Sequence, residues 1–326
     1  MLCCGICCTA VSVVAFIILI AIVVRLFIKY TSGKCVIEGS LGGKNYLITG
    51  ATSGIGRQTA YELAKKGATL YLACRSRSRA NVLALNIKES TGNDNIHVLH
   101  LNLASMKSVR KCAEDFIALN VPLHCLINNA GSIIQGKTRT MTEDGMELTM
   151  ATNYFGHFLL TNLLLDKLEQ SGRSRIVNVS SHIHRMGSRP TTFDVNNLSL
   201  DHVKYDSFTA YCHSKLANVL FTNELSARFS HKGITANSLH PGVIVTNIMT
   251  TTNIFSWILY QLFGAMMKTE LEGAQTTLYL ATSKDVEHTS GHYFADCAPD
   301  GMHISATNTE IARELWEKTE SILKNI

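Results

Sequence analysis

The chain has 326 residues, 46% hydrophobic and 17% charged, with a formal net charge of +5. That length and apolar content suit one large α/β domain, or a domain plus an appendage. The positive charge is spread without a dense Lys/Arg run, so no nucleic-acid partner is expected.

The chain opens on a stretch, Ile6 to Val24, that carries no charge and is mostly Val, Ile, Ala and Phe. About 20 such residues are what a helix needs to span a hydrocarbon core. No Lys or Arg precedes the run, whereas Arg25, Lys29 and Lys34 follow it. That order is unlike a cleaved leader and places the C-terminal side in the cytoplasm. Residues 1–35 are therefore expected to be a membrane anchor with its juxtamembrane segment, and residues 36–326 the working domain. A buried core helix is the alternative. Cys3, Cys4, Cys7 and Cys8 crowd the anchor and are placed for S-acylation. The other six cysteines are scattered, with neither zinc spacing nor a disulfide pattern, which points to a reducing compartment.

Strands and helices then alternate. Strands are expected at Asn45–Thr49, Ala68–Cys74, Ile96–Leu101, Leu123–Ile127, Arg175–Val179, Ile234–Leu239 and His292–Phe294. Helices are expected at Ile55–Lys66, Arg79–Ser90, Ser105 to about Leu119, around Glu143–Leu168, Phe208–Phe229, Leu271–Ala281 and Thr307–Leu323. This alternation predicts a Rossmann-type, doubly wound parallel sheet of about seven strands, preceded by a transmembrane helix.

The first strand runs into Thr49-Gly50-Ala51-Thr52-Ser53-Gly54-Ile55-Gly56. Three glycines at a strand-to-helix turn let the backbone approach a pyrophosphate, which the helix N-terminus attracts. A simple turn is the alternative for this segment alone. The second strand ends in Cys74-Arg75, with Arg77 and Arg79 beyond, where an NAD site wants an acidic residue. Arginine binds a 2′-phosphate, so NADP(H) is favoured and Arg75 is its candidate contact.

Tyr211 and Lys215, four apart on a helix, share one face. A nearby ammonium is expected to draw the phenol pKa down from about 10, preparing it for proton exchange with a carbonyl or alcohol oxygen. Such a pair is common on surfaces. Here it keeps company with Asn128-Asn129-Ala130-Gly131 after the fourth strand, Asn153 in the next helix, Asn178-Val179-Ser180-Ser181 ending the fifth strand, and Pro241-Gly242 with Thr246 after the sixth. With these motifs in this order, the chain resembles the short-chain dehydrogenase/reductase family from about Lys44 to Phe294. The segment Ala210–Asn218 and the N-terminal anchor resemble those of the membrane-anchored retinol dehydrogenases that prefer NADP.

The resemblance implies an oxidoreductase in which Tyr211 donates a proton, Lys215 tunes it and binds the nicotinamide ribose, Ser181 holds the substrate oxygen, and Asn153 completes a proton relay through water. It implies that Gly50, Thr52, Ser53, Gly54, Ile55 and Gly56 cradle the cofactor. Asn129, Ala130, Gly131, Pro241, Gly242 and Thr246 would line its other end. Asn102 stands where the family often has an Asp against adenine, and its amide still hydrogen-bonds. The implied place is the endoplasmic reticulum membrane, single-pass, with the catalytic domain facing the cytosol.

Residues 253–267 are strongly apolar, from Ile254 and Phe255 to Met266 and Met267. They suggest a lid over an apolar substrate such as a retinoid, either resting at the membrane interface or packed on the core. Steroids and lipid-derived aldehydes are alternative substrates, and a tethered scaffold without catalysis is the alternative of another class. His182 and His184 lack further ligands at zinc spacing and are read as loop residues, and Cys212 as packing; no metal is expected. Oligomeric state is left open.

Overall fold

The computed structural model describes residues 2–134, 138–186, 193–201, 204–244 and 267–326, with side chains from Ala15 onward. Its core is an eight-stranded sheet in the order β3-β2-β1-β4-β5-β6-β7-β8. The strands are β1 Asn45–Thr49, β2 Thr69–Cys74, β3 Ile96–His100, β4 Cys125–Asn128, β5 Ser174–Val179, β6 Ile234–His240, β7 Tyr293–Ala295 and β8 Ala298–Pro299. The order reverses between β1 and β4, which pair in parallel through Leu47↔Leu126. That reversal opens a crevice at the carboxyl ends of both strands, where open α/β sheets bind ligands.

Among the described residues the α-helices are α1 Leu2–Thr31, α2 Gly54–Lys65, α3 Arg77–Thr91, α4 Met106–Ala118, α5 Leu148–Met150, α6 Gly156–Leu163, α7 Leu165–Glu169, α8 Ser207–Phe229, α9 Glu270–Thr282 and α10 Thr309–Lys324. Adjacent strand residues serve opposite cores, because side chains alternate across a sheet. Leu47 packs on the face covered by α4, α6, α8 and α10, and its neighbour Ile48 on the face covered by α2, α3 and α9. Both are fully buried, which is why β1 reads as a continuous apolar run. Among the residues described with side chains, which in α1 begin at Ala15, no helix is long and apolar enough to cross a membrane.

Three expectations are corrected. The sheet is mixed and has eight strands: β8 pairs antiparallel with β7. Asp296 and Cys297 between them both take positive φ, +50° and +59°, the pairing of a tight primed hairpin turn. Asp-Cys does not announce that turn as Asn-Gly would, and a two-residue strand has no readable period. The helix expected from Glu143 begins only at Leu148, because residues 142–146 form a turn in which Thr142 N–H donates to Met146 O at 2.8 Å. That helix is also not regular. Between α5 and α6 lies a π segment, Ala151–Phe155, and Gly156 N–H reaches back five residues to Ala151 O.

Candidate active site

The dinucleotide turn is built by close backbone approach. Gly50 has φ +69°, and a Cβ there would come within 2.8 Å of Ala130 Cβ. A Cβ on Gly56 would collide with the Asn129 side chain and sit 2.7 Å from Gly50 O. Only glycine fits either place. Ser53 caps α2 from extended backbone without a side-chain bond, so among the described residues the first amides of α2 have no capping partner. Gly54, with φ +58°, faces open space. Arg75, directly after β2, is exposed and has no ion-pair partner among the described residues. Asn102 donates its backbone N–H to Ser108 Oγ at 2.9 Å and accepts at Oδ1 from Ala104 N–H at 3.2 Å, and its side-chain Nδ2 has no partner among the described residues. An open helix terminus, an uncrowded glycine and a free guanidinium fit a phosphate-bearing dinucleotide. Thr52 and Ile55 lie on the same turn, both partly buried.

Behind the turn, Thr49 Oγ1 accepts from Asn129 N–H and Ala130 N–H, each at 3.0 Å. Asn129 Nδ2 returns a bond to Thr49 O at 2.9 Å. Asn128 Nδ2 donates to Asn178 Oδ1 at 2.8 Å, and Asn178 Nδ2 to Thr222 Oγ1 at 2.9 Å. These buried amides tie β4, β5 and α8 together just below the crevice.

α8 starts at an Asp206 cap, whose carboxylate accepts from Thr209 N–H at 2.9 Å. Its Lys215 is 3% exposed and donates from Nζ to Val179 O at 3.0 Å. A Cβ on Gly131 would lie 3.2 Å from that Nζ and 3.5 Å from Asn153 Oδ1, so β4's loop, α8 and the π segment meet here. Asn153 Oδ1 accepts from Ser132 N–H at 2.9 Å, and its Nδ2 donates to Ser132 O at 2.9 Å and Ser214 Oγ at 3.0 Å. Ser214 Oγ donates onward to Tyr211 O at 2.8 Å. Ser181 follows β5, and its Oγ accepts from Ile183 N–H at 3.3 Å, leaving its proton to aim elsewhere. Asn153, the Tyr211 carbonyl and Lys215 thus meet around the ends of β4 and β5, and Ser181 follows two residues after Val179, the Lys215 partner. Pro241 and Gly242 directly follow β6, with Gly242 against the Lys268 side chain. Thr246 and residues 253–266 lie outside the described residues.

The electrostatics differ from the sequence expectation in one respect. Lys215 does not draw the phenol down; burial pushes the Tyr211 pKa up. Spacing puts the two side chains on one face but does not say where their head groups point. The ammonium is turned to Val179 O and lies 5.6 Å from the Tyr211 ring centroid. Its own pKa is pushed down to about 8 by desolvation, with no carboxylate to offset it.

Several partners were not legible beforehand. Ser214 and Thr49 have no role in the sequence reading, and the signal that could mark them is only a hydroxyl beside a motif residue. His182 Nε2 lies 2.7 Å from Asp300 Oδ2, which also takes Arg185 at 2.8 Å, and the His182 ring stacks on His240 at 3.9 Å. This group braces the loop after Ser181 through contacts more than 100 residues apart in sequence.

Residues 44–192 match the family described as short chain dehydrogenase. Retinol dehydrogenase 11 of Mus musculus is 43% identical over 293 residues, 90% of each chain. Among solved structures, an uncharacterized protein from Mycobacterium Paratuberculosis superposes with a TM-score of 0.69 at 32% identity, covering 88% of this chain and 95% of the other. A blue fluorescent protein from a metagenomic library, solved in complex with NADPH, gives 0.62 at 25% identity, covering 78% and 97%.

Proposed function

Because the chain belongs to the short-chain dehydrogenase/reductase family, we propose that it is an NADP(H)-dependent oxidoreductase interconverting a retinoid aldehyde and its alcohol. The observation that carries this reading is the buried run of hydrogen bonds from Asn153 through Ser214 to the Tyr211 carbonyl, with the Lys215 ammonium and Asn153 Oδ1 both beside Gly131 after β4.

When bound, NADPH supplies the hydride that reduces the carbonyl carbon. Negative charge then grows on the substrate oxygen, and a protein gains most by placing donors where that charge appears. Tyr211, kept neutral by burial, donates its proton there. Ser181 is the second donor, since its hydroxyl proton is not committed to the protein. Lys215 holds positive charge 5.6 Å from the Tyr211 ring and would bind the nicotinamide ribose. Asn153 fixes the geometry of both and hands protons on. Gly50, Thr52, Ser53, Gly54, Ile55 and Gly56 hold the pyrophosphate, Arg75 the 2′-phosphate, and Asn102 the adenine. Asn129, Ala130, Gly131, Pro241 and Gly242 would hold the nicotinamide end, and the family pattern gives Thr246, outside the described residues, the same role.

Residues 1–35 act as the anchor and residues 36–326 as the catalytic domain, on the endoplasmic reticulum membrane and facing the cytosol. Thirty residues of α1 span about 45 Å as a helix, more than the ~30 Å of a hydrocarbon core. Phe16, Leu19, Ile22, Val23 and Leu26 are all exposed, so this helix offers apolar surface that water does not favour. The relatives' names and the apolar stretch 253–267 support a retinoid.

Turnover of all-trans-retinal, nonanal and a ketosteroid, each with NADPH and NADH, tests the assignment. The expected order is retinal first, with NADPH strongly preferred. A ketosteroid or nonanal turned over as efficiently removes the retinoid. In Tyr211→Phe, retinal reduction should fall by roughly 10²–10⁴-fold, and undiminished turnover in that variant rejects the mechanism.

A further inference from the structure

His157 is a buried imidazole at the start of α6, 2% exposed, that the mechanism above does not use. Its Nδ1 lies 3.0 Å from Asn153 O and its Nε2 lies 2.9 Å from Thr49 Oγ1. A carbonyl can only accept, so Nδ1 carries the proton and Nε2 presents a lone pair. Thr49 must then donate to Nε2. Its hydroxyl already accepts from Asn129 N–H and Ala130 N–H, so its two lone pairs and one proton are all used. The other acceptor near that proton, Ile127 O, is farther away at 3.4 Å.

We propose that His157 is a positioning residue, a neutral Nδ1–H imidazole that locks the cofactor-side loop after β4 to the π segment carrying Asn153. The connection runs in one line. Asn129 and Ala130 amides meet Thr49, Thr49 meets His157, and His157 meets the backbone of Asn153. The Asn153 side chain meets Ser214, and Ser214 meets the carbonyl of Tyr211. The π segment explains why a side chain is needed. Its hydrogen bonds reach five residues rather than four, so this stretch lacks the regular ladder that holds a helix in register. Charging the ring would aim a second N–H at a hydroxyl with no lone pair left. Burial opposes that charge, holding the His157 pKa down at about 4, and the Lys215 charge acts in the same direction.

The inference deepens the functional reading and rests on the roles given there to Asn153 and Tyr211, but its first test needs no turnover. Nitrogen and carbon NMR of the full-length protein in detergent, labelled at histidine, should show His157 as the neutral Nδ1–H tautomer with no titration between pH 6 and 9. A neutral Nε2–H tautomer or a charged ring overturns the proposal. Amide exchange at Asn129 and Ala130 should quicken at least tenfold in Thr49→Val and in His157→Phe. Unchanged exchange there also overturns it.

Kinetics then separate positioning from general stability. His157→Phe should lower kcat for retinal about tenfold or more, with KM for retinal within twofold of the parent. His157→Asn keeps an N–H donor toward Asn153 O and should recover part of kcat. Thr49→Val and His157→Phe together should cost no more than either alone, as expected for groups acting as one unit. Should the phenylalanine variant fail to fold, the parent's tautomer and the asparagine variant decide the matter. A parent-like kcat in His157→Phe, or fully additive losses, refutes the role. Inactivity of the parent toward retinal, with the tautomer and exchange results as expected, would instead count against the substrate assignment alone.

Discussion

Lys215 shows how one residue can serve a site at the expense of the fold. Its ammonium is buried with Val179 O as its hydrogen-bond partner, and desolvation lowers its pKa to about 8. Below that value the folded protein carries a buried charge that the unfolded chain keeps in water. Between about pH 8 and the unfolded value near 10.4 the unfolded chain binds the extra proton, so stability rises with pH across that window. Lys215→Met should therefore stabilise the cofactor-free protein at pH 7 by about 1–3 kcal/mol while nearly abolishing turnover. Denaturant melts beside retinal reduction rates check this. In the parent, kcat/KM for NADPH reports the free enzyme and should fall as pH rises through about 8. A flat profile from pH 7 to 9 would show that the ammonium's charge does not matter there.

At the level of elements, α9 ties α1 and the segment after it to the sheet domain. Thr269 and Glu272 form a reciprocal capping box at its start. The same Glu272 carboxylate takes both guanidinium nitrogens of Arg25 from the end of α1, at 2.8 and 2.9 Å. Cys35 N–H donates to Gln275 Oε1 one turn further along, at 2.8 Å. Partial burial raises the Glu272 pKa, but the Arg25 and Thr269 bonds outweigh it and the net shift is downward. A carboxylate held low stabilises this junction above the ordinary glutamate range, and the effect is lost as pH falls through the lowered folded value. Glu272→Gln keeps the cap, because a glutamine oxygen still accepts from Thr269 N–H, but it removes the charge that holds Arg25; it should loosen α1 from α9 and cost at most about 1 kcal/mol. Spin labels on the two helices should broaden in distance. Arg25→Glu should do likewise, and the exchanged pair Arg25→Glu with Glu272→Arg should narrow the distribution again. No change in either single variant would mean that the ion pair does not hold the junction.

Across the whole molecule, α10 closes the core behind the reactive helix. Trp316 packs on Phe158 at 4.8 Å and Phe221 at 5.7 Å between ring centroids, and Arg228 lies over it at 4.7 Å. Tyr154 beside them bonds Thr319 at 2.8 Å. Trp316→Ala should cost about 3–5 kcal/mol and lower the thermal midpoint well before it changes KM, because the cavity opens on the far side of α8 from the crevice. A loss below 1 kcal/mol in a denaturant melt would show that α10 does not support the core.

Much of this molecule was legible in one dimension. Seven of the eight strands, the helices between them and the Gly50–Gly56, Asn128–Gly131 and Tyr211–Lys215 motifs follow from local periodicity, because a two-faced sheet needs continuous apolar strands and its turns need particular residues. What only the tertiary structure decided are the contacts between segments distant in the chain. His157 reads as one polar residue in an apolar helix until Thr49, 108 positions earlier, is brought to its Nε2. The direction of the Lys215 ammonium, the upward push on Tyr211 and the Asp300 brace on His182 have the same origin. Periodicity records which face a side chain occupies, whereas hydrogen-bond partners and desolvation depend on what folding places opposite that face.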